Sequence, residues 1–105
     1  MSDLQTLQKR AMFIRKRYNE TNTLNGFDEW NGLDYTAGFA GDVGDLIKIV
    51  MVKENKRSGA DIDAKLRHEL GDCLWSLLII AEQYGIDLEQ AFLDTMKELE
   101  ERLAA

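Results

Sequence analysis

Not one proline occurs among the 105 residues of this chain, so nothing in it forbids long, uninterrupted helices. Ala, Leu, Glu, Lys and Gln are abundant, and these are strong helix formers. Apolar residues make up 45% and charged residues 30%, a globular balance rather than a disordered one. The expectation is a single all-α domain over 1–105, near the size at which association adds useful buried surface.

Four helices are read from apolar spacing and punctuation, over about 3–19, 34–56, 61–84 and 87–103. The first opens on Ser2 with Gln5 three residues on, a capping box. Its stripe is Leu4, Leu7, Ala11, Ile14 and Tyr18, and it fades into a segment with the pairs Asn25-Gly26 and Asn31-Gly32, which reads as a loop. The second starts near Asp34 and ends on Lys53, Lys56 and Arg57, before the break at Ser58-Gly59. The third takes Asp61 as N-cap and stops at Gly85. The fourth opens at Asp87, with Gln90 completing another capping box.

In the third helix the apolar residues of 70–81 spread nearly all round the axis, which calls for burial on most sides. So small a monomer can hardly enclose it. The predicted architecture is an antiparallel four-helix bundle-like domain that associates into a dimer or a dimer of dimers. Leu74, Trp75 and Leu78 are candidates for the shared surface, the alternative being that they pack under the fourth helix.

The net charge of −6 argues against nucleic acid as a partner, because phosphate backbones need a basic face. It leaves open a small phosphorylated ligand reached through a cation. The first ten residues lack the apolar centre of an export signal, and the longest uncharged run, 73–81, is too short for a bilayer. The lone Cys73 fits a reducing, cytoplasmic setting and reads as a core residue. His68, the one histidine, reads as a helix-surface residue.

The chemistry concentrates in two pairs of acids. Asp42 and Asp45 lie in AGFAGDVGDLIKIV, and Glu69 and Asp72 in ELGDCLWSLLII. Residues three apart share a helix face. Carboxylates in such apolar surroundings need a counter-charge or a partner. If the second and third helices form an antiparallel hairpin, the two pairs face each other, and an all-oxygen donor set favours Mg²⁺, with Mn²⁺ also possible. Gly41, Gly44 and Gly71 each precede one of these acids, and Gly38 lies one turn earlier. A helical glycine costs roughly 1 kcal/mol relative to alanine, so their clustering points to a close neighbour, either a ligand or another helix.

These two segments resemble the all-α nucleoside triphosphate pyrophosphohydrolases, the MazG-like group that includes the all-α dCTP and dUTP pyrophosphatases. The family signature is EExxE followed, some tens of residues later, by ExxD. Here 41–45, GDVGD, stands at the first motif and 69–72, ELGD, at the second, and the likeness extends over about 35–102. Gly41 replaces the first glutamate and Asp42 and Asp45 the other two. The aspartates are one methylene shorter, so an ion must sit closer to the second helix or be held through water.

The resemblance implies Mg²⁺-dependent hydrolysis between the α and β phosphates of a (deoxy)nucleoside triphosphate, giving monophosphate and pyrophosphate, as house-cleaning of non-standard or excess nucleotides. Asp42, Asp45, Glu69 and Asp72 would be metal ligands. Asp45, Glu69 and Asp72 would be catalytic, with Glu69 as proton acceptor. Lys53, Lys97 and Arg102 would hold phosphate, although Lys97 equally suits a surface pair with Glu101. Trp30 and Tyr35 would stack on the base. The alternative is a member of the same fold that binds nucleotide or metal with weak or no turnover.

Overall fold

The computed structural model describes residues 3–104, and among them every regular element is a helix: α1 (Asp3–Leu24), α2 (Gly32–Lys53), α3 (Ile62–Gln83) and α4 (Leu88–Ala104). The all-helical expectation is met; the capping box read at Ser2 lies outside the described residues.

Helix ends differ from the sequence reading for identifiable reasons. α1 continues past residue 19 to Leu24, because its stop is the first Asn-Gly pair. Gly26 takes φ +81° and Phe27 N–H donates to Asn22 C=O at 2.8 Å, closing a Schellman motif. α2 starts at Gly32 because Asn31 caps it. The Asn31 side chain accepts from Asp34 N–H at 3.0 Å, and Asp34 accepts in return from Asn31 N–H at 2.9 Å. An aspartate here does what glutamate does in the usual capping box. α2 ends at Lys53 because Asn55 adopts φ +59° and Lys56 N–H reaches Met51 C=O at 2.8 Å. Gly85 stops α3 as expected, with φ +64° and Ile86 N–H on Ala81 C=O at 2.9 Å. Asp61 precedes α3 in the left-handed region without a side-chain cap. Asp87 accepts from Gln90 N–H at 3.1 Å.

α2 and α3 form an antiparallel hairpin whose register shows at three levels. Lys53 pairs with Asp63 at 2.7 Å beside the turn, and Ser76 reaches Asp42 at 2.9 Å midway. At the far end the Tyr84 ring lies over Gly32. α1 runs against α3, with Gln8 on Glu82 at 3.1 Å and Trp75 Nε1–H donating to Ala11 C=O at 3.3 Å. The core sits between α1, α2 and α3 and comprises Ala11, Tyr35, Leu78 and Ile79, with Leu4, Met12, Trp75, Ile80 and Leu88 against it.

Two expectations are corrected here. Leu78 and Trp75 belong to this chain's own core, packed under α1, and only Leu74 remains open at 40% exposure. The fourth helix does not close a compact bundle. α4 touches the core through Leu88 and buries no residue, because its stripe Phe92, Leu99 and Leu103 meets no facing apolar surface in the chain. The Cα radius of gyration is 16.7 Å, against ~13 Å for a compact domain of this length.

Close helix packing does not account for Gly41, Gly44 or Gly71, since a Cβ at each would meet nothing within 4 Å. Gly41→Ala is therefore expected to gain the helix-propensity difference, ~1 kcal/mol or about 4–8 °C in Tm. Thermal unfolding followed by circular dichroism checks this, and a lower Tm would show that another surface occupies that space in solution.

Candidate metal and nucleotide site

The hairpin register brings the two acid pairs to one stretch of the α2–α3 seam. On α3, one ligand atom each from His68, Glu69 and Asp72 lies within 4.8 Å of the others. His68 Nε2 stands 3.1 Å from Asp72 Oδ2. From α2, Asp42 turns towards α3 and accepts the Ser76 hydroxyl at 2.9 Å. Asp45 projects into solvent, whereas Asp42, Glu69 and Asp72 are half-buried. The acids thus line a wet groove rather than a sealed interior.

Burial and neighbouring charge both act on Glu69. Its carboxyl is held above the ordinary value of 4.5, first by burial, then by the charges of Asp45 and Asp72, with Asp42 adding to them and His68 opposing. Burial, followed by Asp42, Glu69 and Asp72, likewise pushes the Cys73 thiol up. Cys73 therefore stays a thiol at neutral pH, in keeping with a packing residue.

A cavity of about 470 Å³ opens beside the acids, walled by Ile14, Tyr18, Asn19 and Asn22 of α1, Trp30, Tyr35 of α2, and Asp72 and Trp75 of α3. Trp30 meets Tyr35 edge-on at 5.4 Å between centroids, and Tyr35 meets Trp75 edge-on at 6.2 Å. Trp30 is half-open, at 46% exposure, while Tyr35 is 4% exposed. Tyr35 is thus a back wall, its hydroxyl accepting from Arg15 Nε–H at 3.3 Å, and Trp30 is the freer ring. Trp30 lies so close over α2 that a Cβ on Gly38 would stand 3.1 Å from its Cζ3. That is the one site glycine for which close packing is the reason.

The cations are more scattered. Lys53 is committed to Asp63 across the turn, and that hydrogen bond and charge raise its pKa. Lys97 and Arg102 ride on α4, and among the described residues no ion pair joins either to the acids, to Glu101 or to any other group. Three residues at the site escaped the sequence reading. Ser76 follows Glu69 by seven and His68 precedes Asp72 by four, so helical spacing could have placed both on the acid face. Asn19 could not have been found, because it was read as the point where α1 fades.

The MazG nucleotide pyrophosphohydrolase domain model matches residues 33–104, most of the chain and both acid segments. The chain belongs to the MazG nucleotide pyrophosphohydrolase family. No curated protein matches it. Among the described residues no helix is long and apolar enough to cross a membrane.

The raised Glu69 pKa has a consequence for stability without metal. Folding favours the protonated carboxyl, a contribution present below the ordinary value of 4.5 and lost as pH climbs through the folded-state value. Without divalent ions, Glu69→Gln is expected to raise Tm at pH 7 by roughly 1–4 °C and to flatten the decline in Tm from pH 4.5 to 7. Scanning calorimetry of both proteins in chelator checks it. An unchanged or lower Tm at pH 7 would mean that Glu69 is not under like-charge stress.

Proposed function

We propose that this chain is a Mg²⁺-dependent nucleoside triphosphate pyrophosphohydrolase, cleaving between the α and β phosphates and serving as a cytoplasmic house-cleaning enzyme for non-standard or excess nucleotides. The observation that carries the reading is the α3 group of His68, Glu69 and Asp72, with Asp42 of α2 held nearby on Ser76, beside an aromatic cavity that Asp72 also lines.

The donor set fits a hard divalent ion, because Asp42, Asp45, Glu69 and Asp72 offer only oxygens; Mn²⁺ would also accept His68. When bound, the ion supplies charge neutralisation and Lewis acidity towards the triphosphate and its attacking water. Glu69 takes a proton from water as its oxygen bonds to the α-phosphorus. The bond from that phosphorus to the bridging oxygen breaks, and pyrophosphate leaves with the electron pair. Ser76 holds the Asp42 carboxylate in place, and His68 does the same for Asp72. Trp30 covers the base, with Tyr35 behind it. Lys53, Lys97 and Arg102 are the proposed phosphate contacts, Lys53 by exchanging Asp63 for a phosphate oxygen.

The decisive assay incubates the protein with Mg²⁺ and a panel of standard and modified nucleoside triphosphates and identifies the products. Monophosphate with pyrophosphate is expected, whereas diphosphate with phosphate would sink the proposal. Asp45→Asn and Asp72→Asn should each lower kcat/KM by roughly 100-fold or more and abolish the Mg²⁺-induced rise in Tm. A second reading, a nucleotide-binding member with little turnover, is favoured by Gly41, Asp42 and Asp45 in place of glutamates. Tight binding without products would select it.

A second copy of the chain is the proposed partner. The accessible surface of 8009 Å² exceeds the ~6,000 Å² of a folded monomer of this mass. Leu70, Leu74 and Leu77 on α3 and Ile47, Val50 and Met51 on α2 form exposed stripes at helical spacing. Light scattering is expected to return at least twice the chain mass of 12.0 kDa, and Leu77→Glu should reduce it. A monomer at micromolar concentration would refute this.

A further inference from the structure

We infer that His68 is a metal ligand in its own right and gives the acid site a preference for first-row transition ions over Mg²⁺. This rests on the metal reading of the site. One stretch of α3 carries the three donors. His68 and Asp72 are four apart and share a face of the helix, with Glu69 beside them. One donor atom from each falls within 4.8 Å of the other two. His68 Nε2 and Asp72 Oδ2 stand 3.1 Å apart. That distance suits a hydrogen bond, and it also suits two neighbouring donors round an ion at ~2.1 Å, which are about 3 Å apart.

The fold itself gains little from the imidazole. Its side chain is 71% exposed and that of Asp72 41%, so the two contribute little as an ion pair. Among the described residues no lysine or arginine forms an ion pair with His68, Glu69 or Asp72. One imidazole with two carboxylates is a donor set of mixed kind. Mg²⁺ keeps to oxygen ligands and its own water, whereas transition ions accept imidazole and carboxylate together. With Mg²⁺ bound, the imidazole stays on Asp72. With a transition ion, Nε2 leaves the carboxylate oxygen and turns to the metal. Mn²⁺ is the stringent probe, because it has the lowest affinity of the first-row series.

Electron spin-echo envelope modulation of Mn²⁺ bound to the chain, free of any affinity tag, reads the nitrogen directly. His68 is the one histidine, so coupling to an imidazole nitrogen has a single source. The coupling is expected in the wild type and lost in His68→Ala. Calorimetric titration of both proteins with MnCl₂ and with MgCl₂ supplies the second readout. His68→Ala should weaken Mn²⁺ binding by about 10-fold or more, at least what loss of an outer-shell partner costs a metal site, and leave Mg²⁺ within about twofold. Alanine is well tolerated at an exposed helical position, and the echo measurement on the wild type needs no variant.

Bound Mn²⁺ without nitrogen coupling would overturn the inference and leave the oxygen-donor site of the proposed function standing. So would an equal loss of Mn²⁺ and Mg²⁺ affinity in His68→Ala, which would make His68 a residue that only positions Asp72. Mn²⁺ binding untouched by Asp72→Asn would put the ion elsewhere and remove both readings. Binding of neither ion would also remove both.

Discussion

The α2–α3 register sets acids of two helices along one seam, Asp42 reaching Ser76 of α3 while Glu69 and Asp72 cluster with His68. The Lys53–Asp63 pair, the Ser76–Asp42 hydrogen bond and the Tyr84 ring over Gly32 hold one antiparallel alignment along both helices. In that alignment burial raises the Glu69 pKa first, and the charges of Asp45, Asp72 and Asp42 add to it. Sliding α3 to relieve the repulsion would cost all three contacts and lift Ile79 from the core. The chain therefore carries its electrostatic stress in the folded state. Among the described residues the Ser76 hydroxyl partners Asp42 and the exposed His68 imidazole partners Asp72, and the divalent cation of the proposed function would offset the rest.

The same register builds the cavity. Asp72 and Trp75 are three apart on α3 and so project together, one towards the acids and one into the aromatic wall. Tyr35 bridges Trp75 to Trp30 through two edge-on contacts, and Trp30 is seated tightly against α2 at Gly38. The acid seam and the aromatic cavity thus share α2 and α3, with Trp30 supplied by the loop before α2.

How much of this the sequence disclosed depends on whether a feature is local. The absence of proline, the apolar spacing and Gly85 announced four helices, and the i, i+3 acids announced a face. The Asn-Gly pair at Asn25-Gly26 was legible as a stop, but its reach back to Leu24 depends on Schellman hydrogen bonds that spacing alone does not reveal. Glycines beside the acids point to a close neighbour, yet among the described residues no atom beyond the local helix backbone would lie within 4 Å of a Cβ at Gly41, Gly44 or Gly71. The burial assigned to Trp75 and Leu78 needed α1 laid along α3, a long-range event that no window of sequence records. Asn19 is the extreme case, an ordinary helix residue until three other segments close round it.

What α4 does links the chain's unspent surface to its missing cations. The family match runs to residue 104, so α4 belongs to the matched domain even though none of its residues is fully buried. It carries an apolar stripe of Phe92, Leu99 and Leu103 on a helix that also bears Lys97 and Arg102. Under the proposed function the acid-lined site would need positive charge beyond a metal to hold a triphosphate, and Lys53 is already engaged by Asp63. Any packing that buries the α4 stripe also fixes where Lys97 and Arg102 point. Under the proposed function and the proposed pairing of two copies, hydrophobic burial of α4 and placement of Lys97 and Arg102 would be one structural problem.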